Sequence, residues 1–298
     1  GSFQLFFTFF TVILILFFII FGLLYPPLDY VSFSPSDSTF TETFSAGFAI
    51  NLVYVSFAYS GWNASAYIAS EVENPRKNLP LSIIFGTTAV IILYLLLNAV
   101  FLMSAPVNEL MVDPSTMMPK EIGFVSAEHL FNTDMANIIS IIIGVFLISS
   151  ISSMVITGPR VIQTMINDYP IVKKLKSSDN KLPVLAICIQ SLIAILILLS
   201  GSFDSILTYT TFALTLFSLL TVIGVFILRK KHKTDAKEKT YKTWGYPLTP
   251  LVFIIANAWF LFYLFKEKPN DSLIAIGIIL LGFVVYLLVK KNLKNKAL

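Results

Sequence analysis

The residues able to do chemistry within the apolar stretches of this sequence are hydroxyls, amides and bare backbone. Lysine, arginine, aspartate and glutamate keep to the ends of those stretches, and both histidines, His129 and His232, fall in connecting segments. That leaves no buried acid–base pair for general catalysis, no His/Cys/Asp cluster for a metal and no arginine-bearing voltage sensor. Cys188 is the single cysteine and sits in an apolar run, so no disulfide framework exists. Enzymatic chemistry is therefore disfavoured, and no cofactor is implied. The remaining polarity gathers in three places. The first is Phe57-Ala58-Tyr59-Ser60-Gly61-Trp62-Asn63, where Ser60-Gly61 interrupts an apolar run. Serine can bond to its own backbone and glycine loses the most entropy on ordering, so a helix gives way easily here. In lipid, a broken helix exposes amides and carbonyls that cost several kcal/mol each unless something binds them. Transporters built from inverted repeats hold substrate on such backbone. The plainer alternative is a kinked helix with Ser60 bonded back to a carbonyl, since glycine is common in membrane helices. The second place is Ser149, Ser150, Ser152 and Ser153, and the third is Thr208, Tyr209, Thr210 and Thr211. Both read either as close helix packing or as hydroxyls lining an ion or substrate path.

Long apolar helices must position these groups. The chain has 298 residues, 56% hydrophobic and 13% charged, with a mean hydropathy of +0.81. A soluble protein would be about a quarter charged, so the composition predicts an all-α polytopic membrane protein. Apolar runs predict eight spans near 3–25, 45–70, 80–105, 136–157, 183–200, 205–228, 248–265 and 272–289. The first is too long for a signal peptide and lacks a basic flank. Between the third and fourth spans, Pro106, Pro114 and Pro119 break any long helix. Val125, Leu130 and Phe131 there predict an amphipathic piece, lying on the membrane or capping the bundle.

Charge sets the expected orientation. Segments 71–79, 158–182, 229–246 and 290–298 carry 18 of the 21 lysines and arginines. The opposite side carries Lys120, Lys266 and Lys268, with 11 of the 17 acidic residues. The asymmetry follows strict alternation over all eight spans, so the basic side is expected to be cytoplasmic, the C-terminus with it. A net charge of +4 says little about nucleic acid, because the basic residues flank spans.

The stretch Phe57 to Asn63, continued by Glu71, Asn74-Pro75 and Asn78-Leu79-Pro80, resembles the sixth membrane helix of the amino acid–polyamine–organocation (APC) superfamily. The pattern is most similar to the L-type amino-acid transporters and their bacterial relatives. Gly158-Pro159-Arg160-Val161 resembles the end of that family's eighth helix, and Tyr246-Pro247-Leu248-Thr249-Pro250 the start of its eleventh. The resemblance implies a twelve-helix fold of two inverted five-helix repeats plus two helices, with this chain matching helices five to twelve. Residues 3–25 would then be the last helix of the first repeat. Residues 45–228 would be the second repeat, with its first helix broken, and 248–289 the final pair. All of it forms one membrane domain, 1–298.

The same resemblance implies a permease that moves amino acids by alternating access, without catalytic residues. Phe57 would be the gate over the substrate, and backbone at Phe57, Ala58, Ser60 and Gly61 would hold its α-ammonium group. Freed carbonyls at the end of a half-helix carry partial negative charge and suit a cation. Tyr209 and Phe212 would face the same cavity, although packing explains Phe212 equally well. Ser60 stands where the L-type pattern usually has glycine, and its hydroxymethyl group would trim the pocket, favouring a smaller side chain or a shifted pose. The position that carries a lysine in many proton-coupled members is Thr11, so Thr11 with Ser150 or Ser153 would offer hydroxyl oxygens to Na⁺. Coupling to Na⁺ or H⁺, ion-free exchange, and a single-span accessory subunit all stay open. Without an acid in the spans, a neutral amino acid fits better than a cationic one or a polyamine. The implied location is the plasma membrane, or the inner membrane of a bacterium. The competing readings are a transport-inactive fragment of such a permease and a cationic amino acid or polyamine exchanger.

Overall fold

Leucine, isoleucine, valine and phenylalanine fill these runs without period-two alternation, and in lipid a segment must satisfy its own backbone. Both push towards helix, and the computed structural model contains helices and no strands among the described residues. The structure describes residues 2–26, 34–67, 69, 72–106, 109, 121–168, 184–231 and 243–295. Glu71, Pro114, Pro119, Lys120 and His232 lie outside them, as does much of the basic sequence in 169–183, 232–242 and 296–298.

In chain order the elements are α1 (Ser2–Leu24), α2 (Thr39–Thr43) and α3 (Ala46–Ala58), then a 3₁₀ turn (Ser60–Asn63) and α4 (Ala64–Tyr67). There follow α5 (Pro75–Ser104), α6 (Ile122–Leu130), α7 (Thr133–Asp168) and α8 (Val184–Ser200). The last three are α9 (Phe203–Lys231), α10 (Leu248–Glu267) and α11 (Pro269–Asn295). Local sequence sets several ends. Phe48 N–H donates to Ser45 Oγ at 3.2 Å, capping α3, and Met135 N–H donates to Asn132 Oδ1 at 2.8 Å, capping α7. Pro75 and Pro269 open α5 and α11, where a missing N–H costs nothing.

Among the described residues six helices, α1, α5, α7, α9, α10 and α11, are long and apolar enough to cross a membrane, while the apolar helices at 46–58 and 186–199 are shorter. Their outward side chains are apolar as well: Leu5, Phe85, Leu198 and Ile255 are each at least two-thirds exposed. A coat of this size is stable only in hydrocarbon. The chain is a multi-pass membrane protein.

Residues Gly1–Pro35 and Leu81–Thr157 form one unit. Its core joins Phe18 of α1, Val100 of α5, Ala127 and Leu130 of α6, and Ala136 and Ile139 of α7. The piece expected around Val125 is a helix packed into this core. In α6, Val125, Ser126, Ala127 and Leu130 are all buried, and Phe131 stacks on Phe17 with centroids 5.6 Å apart. His129 Nε2 lies 2.8 Å from Glu109 Oε2, tying α6 to the chain beyond α5.

Residues Ser36–Pro80 and Gly158–Leu298 form the other unit. Here α9 is central and packs against α3, α8, α10 and α11. Val53, Leu207, Tyr209, Phe212, Phe260 and Leu264 make its core. Tyr54 of α3 donates its hydroxyl to Asp204 Oδ1 in the first turn of α9 at 3.0 Å. The largest departure from the expected boundaries is in α7, which does not stop near Thr157 but runs through Gly158-Pro159 to Asp168, while α5 starts earlier, at Pro75, and α11 runs on to Asn295. A proline removes one backbone bond and crowds the preceding turn, yet helices within membrane proteins absorb this where neighbouring groups re-satisfy the freed carbonyl.

Gly22 marks the closest helix approach in the first unit. A Cβ there would lie 2.9 Å from Val100 Cγ2 and nearer still to Cγ1. Valine is stiff at χ1 and cannot swing aside. Gly22→Ala should therefore lower stability by about 1–3 kcal/mol, read as earlier thermal unfolding in detergent. Val100→Ala in the same chain should recover most of the loss.

Candidate functional site

Helix α3 has 13 residues, about 20 Å at 1.5 Å per residue, which is short of a bilayer's apolar thickness. It ends where the sequence places glycine after serine. Tyr59 N–H still donates to the Val55 carbonyl at 3.1 Å, but Tyr59 has φ −96° and ψ 9°, outside the helical range. The chain then tightens into the 3₁₀ turn Ser60–Asn63 before α4 begins. The carbonyls of residues 56–58 thereby lose the continuous α-helical line of donors that a longer helix would supply. The interruption is a change of helix type after Ala58, with Ser60 and Gly61 in the 3₁₀ turn itself.

The break is open on its surface. Phe57 is 43% exposed, Ala58 and Gly61 are exposed, and Ser60 is half-buried. A Cβ built at Gly61 meets nothing within 4 Å. Tyr209 and Phe212 stand elsewhere: both are buried in the core of the second unit with Val53, which lies one helical turn before Phe57. The structure thus brings these two α9 aromatics against α3 next to the break. Phe212 is packed in that core, while Phe57 at the end of α3 and Gly61 in the turn that follows are exposed.

Tyr209 carries a further signal. Among the described residues its hydroxyl is buried without a hydrogen-bond partner, and so is that of Thr211. The neighbouring hydroxyls of α9 do what helical threonine and serine usually do: Thr208 donates to the Asp204 carbonyl at 2.7 Å, and Ser218 to that of Leu214 at 2.8 Å. A buried hydroxyl left unpaired costs on the order of 1–3 kcal/mol, and Ser126 of α6 is the third such group among the described residues. Asp204 was counted in the sequence only as one acid among many. Its bond to Tyr54, which shares a helix face with Phe57 and Ala58 at spacing i, i+3 and i+4, could not be read from either residue alone.

Thr11, Ser150 and Ser153 come together in the first unit. All three line a cavity of about 670 Å³ bounded by α1, α5, α6 and α7, whose walls are otherwise mainly apolar. Thr8 and Ser149 add two more hydroxyls, and Phe7 meets Phe146 edge-on across α1 and α7 at 6.0 Å. Thr11 Oγ1 donates to the Phe7 carbonyl at 2.8 Å, and Ser153 Oγ to that of Ser149 at 3.2 Å. Each hydroxyl spends its proton on its own helix and keeps lone pairs that can face the cavity. Among the described residues, no group of three or more His, Cys, Asp or Glu side chains is arranged to hold a metal.

Comparison with known proteins adds to this geometry. The sequence pattern of the amino acid permease family matches residues 1–289. The serine/threonine exchanger SteT of Bacillus subtilis is 28% identical over 243 residues, which is 79% of this chain and 53% of SteT. The b(0,+)-type amino acid transporter 1 of Mus musculus is 24% identical over 257 residues, 84% of this chain and 50% of its own length. The large neutral amino acids transporter small subunit 2 of Oryctolagus cuniculus is 24% identical over 242 residues, 80% and 43% of the two chains. The chain spans about half the length of the curated relatives it matches.

Proposed function

The chain belongs to the amino acid permease family, a family of transporters rather than enzymes, and on that premise we propose that it carries part of the machinery for moving neutral amino acids by alternating access. The substrate's α-ammonium group sits on backbone carbonyls of Phe57, Ala58 and Ser60, beside Gly61, and Phe57 closes over it. The observation that carries this reading is the helix end at Ala58, followed by an open 3₁₀ turn. Carbonyls at the C-terminal end of a half-helix present negative potential to a cation without any charged side chain. Ser60 narrows the pocket beside them, which favours small side chains. Tyr209 of α9, buried in the same core as Val53 with its hydroxyl unpaired among the described residues, supplies the polar contact from the facing helix. In this reading, residues 45–228 form the second inverted repeat and 248–289 the closing pair, with the C-terminus cytoplasmic in the plasma membrane.

Thr11, Ser150 and Ser153 form the ion path of the same proposal. Hydroxyl oxygens suit a hard monovalent cation such as Na⁺ and offer nothing that titrates near neutral pH.

Uptake of a radiolabelled neutral amino acid into proteoliposomes tests both parts. Phe57→Ala should reduce uptake about ten-fold, the effect of roughly 1.4 kcal/mol, with the protein still eluting as a folded species. Unchanged uptake would remove Phe57 from the gate. Replacing Na⁺ by choline should lower wild-type uptake and leave a Thr11→Val, Ser153→Ala protein insensitive to the exchange of cation. Equal wild-type uptake in both media would assign the hydroxyls to helix packing and the protein to exchange.

A further inference from the structure

The apolar run of α9 ends at Leu228, and Arg229-Lys230-Lys231 follow at once. The half-buried guanidinium of Arg229 lies over the ring of Tyr246, 4.0 Å from its centroid. Phe226, one turn earlier, meets the same ring at 5.3 Å. Among the described residues no carboxylate pairs with Arg229. Its position is set by an aromatic face, and a guanidinium stacked in this way can still donate from its N–H edge.

The residues opposite Arg229 are held firmly. Gly245 has φ +65°, a conformation that glycine adopts without strain, and a Cβ there would lie 2.8 Å from Thr249 Cγ2. Thr249 Oγ1 donates to the Trp244 carbonyl at 2.6 Å, and Thr249 N–H donates to the Gly245 carbonyl at 3.1 Å. These bonds lock Trp244 and Tyr246 onto the start of α10. Trp244 is 80% exposed, a large apolar area to leave in water. An indole is at home at the level of lipid headgroups, where its ring meets acyl chain and its N–H meets water. The site therefore pairs a fork of donors suited to phosphate with an exposed indole, at the point where an apolar helix meets its basic end.

We propose that Arg229, Tyr246 and Trp244 form a binding site for the headgroup of an anionic phospholipid, with the phosphate on the Arg229 guanidinium and the Trp244 ring against the glycerol and upper acyl chain. Exposed Lys230 adds long-range attraction. The lipid source is favoured over free phosphate because Trp244 offers an apolar surface that inorganic phosphate cannot use.

Tryptophan quenching in reconstituted vesicles tests the site. The probes are brominated phosphatidylglycerol and brominated phosphatidylcholine, and Trp244→Phe isolates the contribution of Trp244 from those of Trp62 and Trp259. Half-maximal quenching of Trp244 should need about five-fold less brominated phosphatidylglycerol than phosphatidylcholine, the preference expected from one basic contact at an anionic surface. Arg229→Gln should abolish that preference while Trp244 remains quenchable by either lipid. Equal midpoints for the two lipids in the wild type would overturn the proposal, as would an undiminished preference in Arg229→Gln. So would loss of the preference when inorganic phosphate is added at constant ionic strength, which would assign the site to free phosphate.

Discussion

Hydrocarbon offers no hydrogen bonds, so a peptide group that loses its helical partner must find another or carry a cost of several kcal/mol. In this chain the constraint bears on the five residues after Ala58, where α3 gives way to a 3₁₀ turn before α4 starts. The second unit holds that point in place from one side. Val53 anchors α3 in a core built around α9, and the Tyr54–Asp204 bond fixes the same turn to the start of α9. The unwound segment itself stays open, with no neighbour near Gly61. A helix held by its core contacts and leading into an open turn suits the backbone-binding role proposed for it, because the scaffold is ordered before a ligand arrives.

The first unit solves a different problem. Its helices have no hydrophobic drive to associate inside lipid, so contact depends on small residues and shape. Gly22 lets α1 touch Val100, and α6 fills the end of the unit with Val125, Ala127 and Leu130. Against this packing, a cavity lined by Thr11, Ser150 and Ser153 is a departure. Thr11 and Ser153 are individually ordinary, since each donates to its own helix. The collection of these hydroxyls with that of Ser150 around one space is what distinguishes them.

Much of this was legible in the sequence because the signals are local. Uninterrupted apolar runs force helices, and Ser60-Gly61 within such a run weakens one helix where the structure breaks it. The end of α7 was not legible. Gly158-Pro159 is a strong stop signal in water, and the chain overrides it by continuing to Asp168. Contacts between residues far apart in sequence were also hidden. Nothing in Arg229 announces a ring seventeen positions later, and nothing in Thr211 announces that it forgoes the carbonyl bond its neighbour Thr208 makes. Membrane helices blur such signals further, since a threonine that packs and a threonine that binds are the same residue on the same face.

The central claim is that a substrate's ammonium group seats at the break after Ala58. Gly61 gives direct access to it, being exposed and free of neighbours. With Cys188 replaced by serine and Gly61 by cysteine, the rate of maleimide labelling reports occupancy of the turn. A saturating transported amino acid should slow labelling at least about ten-fold, as full occupancy of a site demands, and its N-acetyl derivative, which lacks the ammonium charge, should not. Equal labelling rates with the amino acid, with the N-acetyl derivative and with neither would contradict the account.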